Sequence, residues 1–190
     1  MNNVLVVDKT FKGENYNEVK LPKAEYENCI FDNCTFSQSD LRNITFAECE
    51  FIDCDLSNAD VKETAIKETS FIDCKILGVN FNDCNSFLLS FTFTNCTLNL
   101  SSFYKLKLKN NLFNNCKLNQ VDFTETDLTG SVFEECDLEN AIFTNTILEK
   151  TDFRTAFNFT IDPENNSIKK AKFSKDNIAG LLVKYAIEIT

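Results

Sequence analysis

Large apolar residues recur along this chain every five positions, and the interval holds for most of its length. From Tyr26 the register gives Phe31, Phe36, Leu41, Phe46, Phe51, Leu56, Val61, Ile66, Phe71, Ile76 and Phe81. After one slip it resumes at Phe93 and runs through Leu98, Phe103, Leu108, Phe113, Leu118, Phe123, Leu128, Phe133, Leu138, Phe143 and Leu148 to Phe153. Two positions before these centres sit small or thiol-bearing residues, as at Cys29, Cys34, Ser39, Cys49, Cys54, Ala59 and Cys74. Five is neither the roughly 3.6-residue period of a helix nor the roughly two-residue period of a strand. A fixed repeat this short predicts a solenoid, in which each unit is completed only by its stacked neighbours.

Taken twenty at a time, the repeat resolves into columns. Phe31, Phe51, Phe71, Phe93, Phe113, Phe133 and Phe153 form one, and Cys34, Cys54, Cys74, Cys96, Cys116 and Cys136 another, each with a single step of 22 across the slip. A third runs Leu41, Val61, Phe81, Phe103, Phe123 and Phe143. Four units therefore make one turn of a coil. The residues just before the ladder cysteines are Asn33, Asp53, Asp73, Asn95, Asn115 and Glu135. They are expected to face outward at a corner, where stacked Asn side chains can bond from coil to coil.

The slip occupies residues 85–90, and its Phe87, Leu88 and Leu89 are the candidate protein-contact residues. They either project as an apolar knuckle or fold back onto the core.

Both ends depart from the repeat. Residues 1–23 read as an N-terminal cap with a short strand at Val4–Val7; Phe11, Tyr16 and Leu21 keep the register, but Lys9, Glu14 and Val19 fill their small positions. A solenoid needs such a cap to hide its first apolar layer and strand edge. The regular coil spans 24–156, and 157–190 form a C-terminal cap beginning with a turn-rich stretch, Asp162–Asn166. Ser174 reads as an N-cap with Asp176 in the first turn, and Ile178, Leu181, Leu182 and Tyr185 follow on one face of a short α-helix. That helix is too short to persist undocked, which makes it a candidate dimerisation element. Ala186–Thr190 alternates as a final strand would.

Composition narrows the function. Hydrophobic residues make up 43%, and the aromatics are nearly all phenylalanine, 19 against 4 Tyr and no Trp. No apolar run reaches the roughly 18 residues of a membrane span, and Met1–Thr10 lacks the basic start of a signal peptide. All nine cysteines occupy the small position, where a free thiol behaves as a small hydrophobe. Reduced, structural thiols suit a cytoplasmic protein better than a secreted one. A net charge of −10 with no His disfavours nucleic acid and anionic membrane as direct ligands and removes the commonest general base. The chain carries no Gly-rich phosphate loop, no HExxH and no nucleophile elbow, so neither an enzyme, a cofactor nor a metal site is expected.

Cys34-Thr35-Phe36-Ser37-Gln38, Ala59-Asp60-Val61-Lys62-Glu63 and Cys136-Asp137-Leu138-Glu139-Asn140 resemble the A(D/N)LXX repeat of the pentapeptide-repeat family. The resemblance implies an all-β, right-handed quadrilateral parallel β-helix, four units per turn, with the centre and the small residue both inward. At about 4.8 Å per turn, six to seven turns would make a rod of about 30 Å. One branch of that family resembles duplex DNA in shape and charge, binds DNA gyrase or topoisomerase IV, and protects against quinolones. Its members commonly dimerise through a C-terminal module. Similarity to that branch implies a DNA mimic whose acidic surface includes Asp40, Asp60, Asp122, Asp127 and Asp137, and a homodimer through the predicted helix. Lys62, Lys67, Lys75, Lys105, Lys107, Lys109 and Lys117 interrupt that acidic field. The alternative is an interaction scaffold with no topoisomerase role.

Overall fold

A computed structural model describes residues 4–188. Within them the chain winds as a four-sided parallel β-solenoid. Eleven short strands are β1 (Val4–Val7), β2 (Thr10–Lys12), β3 (Ala24–Glu27), β4 (Ile30–Asp32), β5 (Thr45–Ala47), β6 (Glu50–Ile52), β7 (Ala65–Lys67), β8 (Thr69–Ile72), β9 (Phe91–Thr94), β10 (Leu112–Asn114) and β11 (Val132–Glu134). They form a four-stranded sheet, β1-β3-β5-β7, and a seven-stranded one, β11-β10-β9-β8-β6-β4-β2. Every pairing is parallel, and isolated bridges such as Thr35↔Asp55 and Ser102↔Asp122 continue the pattern on the other faces.

The strands are short because the chain turns a corner every five residues. At most corners the second residue after the centre takes the left-handed conformation: Asn28, Asn33, Gln38 and Asn43 have φ of 51°, 52°, 58° and 58°. Only Gly, Asn and Asp accept that region at low cost, which accounts for much of the Asn and Asp content. Many corner N–H groups then donate to the neighbouring coil, as Asn33 does to the Ile52 carbonyl at 2.9 Å and Asn115 to that of Glu134 at 2.8 Å. Asn side chains extend this on the surface: Asn115 Nδ2 donates to Asn95 Oδ1 at 3.0 Å, and Asn95 Nδ2 to Asp73 Oδ1 at 2.9 Å.

The centre residues of all four faces fill the interior, and one of these columns is phenylalanine throughout. Phe11, Phe31, Phe51, Phe71, Phe93, Phe113, Phe133, Phe153 and Phe173 stack with ring centroids 4.8–5.6 Å apart and planes within 19° of parallel. The small position proves to be a donor slot as well as a small one. Cys54 Sγ donates to the Phe31 carbonyl of the preceding coil at 3.2 Å, Cys136 Sγ to that of Phe113 at 3.3 Å, and Thr126 Oγ1 to that of Phe103 at 2.8 Å. Cys, Ser and Thr recur there because each pairs a compact side chain with a donor for a buried carbonyl.

The coil is already under way in the lead-in, where β1 pairs with β3, β2 pairs with β4, and Tyr16 and Leu21 are buried. It continues past Ala156, where Phe157, Ser167 and Lys172 bridge to Asp137, Ile147 and Asp152.

The slip shifts the pairing of β8 with β9 to an offset of 22, with Phe71 opposite Phe93. Its ends are pinned, since Asn85 N donates to the Thr64 carbonyl and Ser90 N to that of Ile66, both at 3.0 Å. Phe87 and Leu88 between them are 69% and 64% exposed, while Leu89 packs partly against the core. With this face's centre residue outside the core, Phe91 occupies the small position instead, its buried ring 5.0 Å from Phe93 and 5.3 Å from Phe81.

The predicted C-terminal α-helix is absent. Ile178–Leu181 and Val183–Tyr185 are two separate 3-10 turns lying across the last coil. Gly180 sits against Phe159, whose carbonyl oxygen would be 2.4 Å from any Cβ placed there. Asn177 Nδ2 donates to the carbonyls of Phe153 at 2.7 Å and Ala156 at 3.0 Å, so the segment is tied to the coil rather than to itself. Of the strand expected at Ala186–Thr190, positions 189 and 190 lie outside the described residues.

Candidate functional site

The knuckle divides one face of the rod, the face whose inward centres include Phe46, Ile66 and Leu108. Phe87 N donates to Asn85 Oδ1 at 2.9 Å, an Asx turn that aims the knuckle outward. Leu88 holds the left-handed conformation at φ 58°, which directs its side chain away from the coil.

A groove lies on either side. One, of about 390 Å³, is lined by Ala47, Glu48, Lys67, Glu68 and Leu88–Ser90. The other, of about 220 Å³, is lined by Ser86, Leu89, Lys105, Leu106 and Lys107. The charged lips were not among the residues singled out from the sequence as contacts. Their signal was present, because Glu48, Glu68 and Lys105 are outward corner positions within two coils of the slip. Shallow grooves with an apolar centre and charged lips suit the docking of a macromolecular surface.

The acidic candidates do not converge on one stripe. Asp40, Asp60 and Asp122 share a face, with Asp40↔Asp60 and Ser102↔Asp122 bridged, but Asp127 and Asp137 lie on two others. Several are neutralised locally. Asp40 pairs with Arg42 at 2.9 Å and Lys23 at 3.0 Å, and the Arg42 and Lys23 hydrogen bonds hold its carboxyl well below the usual range. Arg42 reaches Asp60 at 3.3 Å, and Lys109 reaches Asp127 at 3.2 Å. Asp122 accepts from Thr124 N at 2.9 Å, and Asp137 from Asn158 Nδ2 at 2.8 Å and Asn119 Nδ2 at 3.0 Å. The result is a mosaic of both signs.

The four residues assigned to a dimer helix share no common face. Ile178 and Tyr185 are 49% and 52% exposed, whereas Leu181 packs partly against the core and Leu182 is half-buried. Tyr185 Oη donates to Glu164 Oε1 at 3.0 Å, and Lys184 pairs with Asp162 at 2.6 Å and Glu164 at 2.7 Å. The segment closes the rod's end.

The cysteines are free and buried, and burial pushes the Cys49 and Cys84 thiols up to about 12. Among the described residues no group of His, Cys, Asp or Glu gathers as a metal site, and no helix is long and apolar enough to cross a membrane.

Residues 44–123 and 86–173 match the family model described as pentapeptide repeat region, and residues 1–81 match that of the SV2A/B/C luminal domain. No curated protein matches the chain. Among solved structures, full-length QnrB1, a plasmid-mediated fluoroquinolone resistance protein, superposes with a TM-score of 0.56 at 17% identity, covering 96% of this chain and 100% of that one. HetL, a pentapeptide repeat protein involved in heterocyst differentiation regulation from the cyanobacterium Nostoc sp. strain PCC 7120, gives 0.50 at 14% identity, covering 90% and 87%. At these identities the likeness is one of fold.

Proposed function

The chain belongs to the pentapeptide repeat family, and from that premise we propose that it is a non-enzymatic, cytoplasmic protein-binding solenoid whose contact region is the knuckle at 85–90. One observation carries the reading. Phe87 and Leu88 are held out in solvent on a rod whose other faces continue without interruption past that level. An apolar pair kept exposed by pinned ends and an Asx turn costs solubility and is explained by a contact. A Phe87→Asp, Leu88→Asp variant tests this in pull-downs from cytoplasmic extract. Partners retained by the parent chain and lost by the variant support the reading, and identical capture overturns it.

A more specific version makes the partner a type II topoisomerase, DNA gyrase or topoisomerase IV, with quinolone protection as the outcome. The net charge of −10 and the likeness in fold to QnrB1 favour it. The pairing of Asp40, Asp60 and Asp127 with basic neighbours weighs against a continuous imitation of a phosphate backbone. A supercoiling assay with purified gyrase decides. Inhibition, or relief of quinolone inhibition, at micromolar protein supports this partner. Neither effect removes it and leaves the scaffold.

A further inference from the structure

Six thiols stand in one buried column, Cys34, Cys54, Cys74, Cys96, Cys116 and Cys136, none more than 2% exposed. They are in register, because the residues that follow them pair in series, from Thr35↔Asp55 and Asp55↔Lys75 to Thr97↔Lys117 and Lys117↔Asp137. They also share one side-chain direction. Each Sγ donates to the equivalent carbonyl of the preceding coil, from Phe11 to Phe113, at 3.2–3.6 Å. Sulfurs placed in this way repeat by one coil, about 4.8 Å along the rod, with their Cβ–Sγ bonds parallel. Cys29 and Cys49 form a second pair on the adjoining face, donating to the Val6 and Tyr26 carbonyls at 3.4 and 3.3 Å. Cys84 has no thiol neighbour, since Thr64 and Leu106 hold the coils on either side of it.

A backbone N–H is directed at these sulfurs from the preceding coil. Cys34 N donates to Cys54 Sγ at 3.4 Å. The N–H groups of Cys54, Cys74, Cys96 and Cys116 stand in the same relation to the next sulfur, as does that of Cys29 to Cys49. An N–H aimed at sulfur favours the thiolate, which is the form that binds metal.

Metals that demand three or more ligands find no cluster among the described residues. A soft cation that takes two thiolates in line needs only a pair. With metal–sulfur bonds of about 2.3 Å its two sulfurs stand about 4.6 Å apart, close to the rise of one coil. We propose that adjacent thiols of these columns are two-coordinate sites for a soft, linearly bonding cation of the mercuric, silver or cuprous class. Each ion enters as two thiol protons leave to solvent, so a divalent ion leaves its buried site neutral. The thiol bonds to the carbonyls are given up, but S–H is a weak donor and the metal–thiolate bond replaces it. Bonds at sulfur are bent, so no sulfur holds ions above and below it in one line. Alternate gaps are therefore filled: three along the six-thiol column, one between Cys29 and Cys49, and none at Cys84.

Mercuric chloride, added to the reduced full chain as it refolds and in the absence of other thiols, is the test. Native mass spectrometry should show four ions per chain, each with the loss of two protons. The far-UV spectrum should be unchanged and the melting temperature raised, because the folded chain holds the sulfurs at the required spacing. Alkylation after unfolding should modify Cys84 alone, and X-ray absorption should give two sulfurs per ion at about 2.3 Å. Cys54→Ser, which keeps a donor for the Phe31 carbonyl, should lower the uptake to three ions, whereas Cys84→Ser should leave it at four. No uptake, uptake only with loss of the far-UV spectrum, three or more sulfurs per ion, or equal uptake by Cys54→Ser and Cys84→Ser overturns the proposal.

Discussion

The Phe113 and Phe133 rings lie parallel to within 1°, their centroids 4.9 Å apart, and both are fully buried. Each ring is packed on both sides by the same kind of ring one coil away, so a change at one level is felt at three. Phe113→Ala should cost about 3–5 kcal/mol in urea unfolding. Phe113→Asp, which adds a buried charge, should leave no folded chain by circular dichroism. A folded Asp variant would contradict the inward assignment of the column.

Cys54 shows what the thiols do. Its Sγ donates to the Phe31 carbonyl as the Thr126 and Ser101 hydroxyls do to backbone carbonyls at the small position of other faces. Cys54→Ala should destabilise by about 1–3 kcal/mol, because it strands a buried carbonyl and opens a small void, while Cys54→Ser retains the donor and costs less. Native protein should react slowly with a thiol reagent, and all nine cysteines should react on unfolding.

Leu41, Leu56, Val61, Ile66 and Ile76 help line a narrow apolar void, where Leu41 and Val61 stand in the column that later coils fill with Phe81, Phe103, Phe123 and Phe143. Val61→Leu adds one methylene toward it. A gain of about 0.8 kcal/mol, or about 2 °C in melting temperature, is expected by calorimetry. A loss would show the void is too narrow to accept the added group.

Leu100 occupies a left-handed corner at φ 65° with its side chain 61% exposed. Leu100→Gly should stabilise by about 0.5–1 kcal/mol in denaturant unfolding, since it relieves the corner without removing core contacts.

Arg154 and then Lys172 hydrogen-bond Asp152 and draw its carboxyl down to about 2. The unfolded chain should titrate this group near about 3.9. A depressed folded value means the pair stabilises in full above about pH 5 and is lost as pH falls toward 2. The stability difference between the parent chain and Asp152→Asn should therefore be flat from pH 7 to about 5 and shrink below it.

The columns were legible because stacking demands like residues at the same level of successive coils. The lead-in hid its membership. Lys9 and Glu14 hold the small positions there, and with no described coil beneath them they have no carbonyl to satisfy. Ile178, Leu181, Leu182 and Tyr185 have helical spacing, yet Gly180 pressed on Phe159 and the Asn177 bonds to Phe153 and Ala156 override it. Those contacts are tertiary and leave no trace in local periodicity. At the slip the sequence left two outcomes open, and the chain uses both: Phe87 and Leu88 go out, Leu89 turns in. Phe91, in a column otherwise filled by Cys29, Cys49, Thr69, Asn111, Ser131 and Thr151, was the signal that the core would be refilled from beside the knuckle.

Because each coil touches only its neighbours, the rod behaves as a one-dimensional stack, in which order spreads from coil to coil. Three faces carry backbone bridges past the knuckle, from Phe71 to Phe93, Lys75 to Thr97 and Asn80 to Ser102. The fourth spans that level only through the bulge. The junction is therefore the weakest coupling in the series. Under heat or tension the stack should part there first, leaving two shorter zippers whose amide exchange falls out of step.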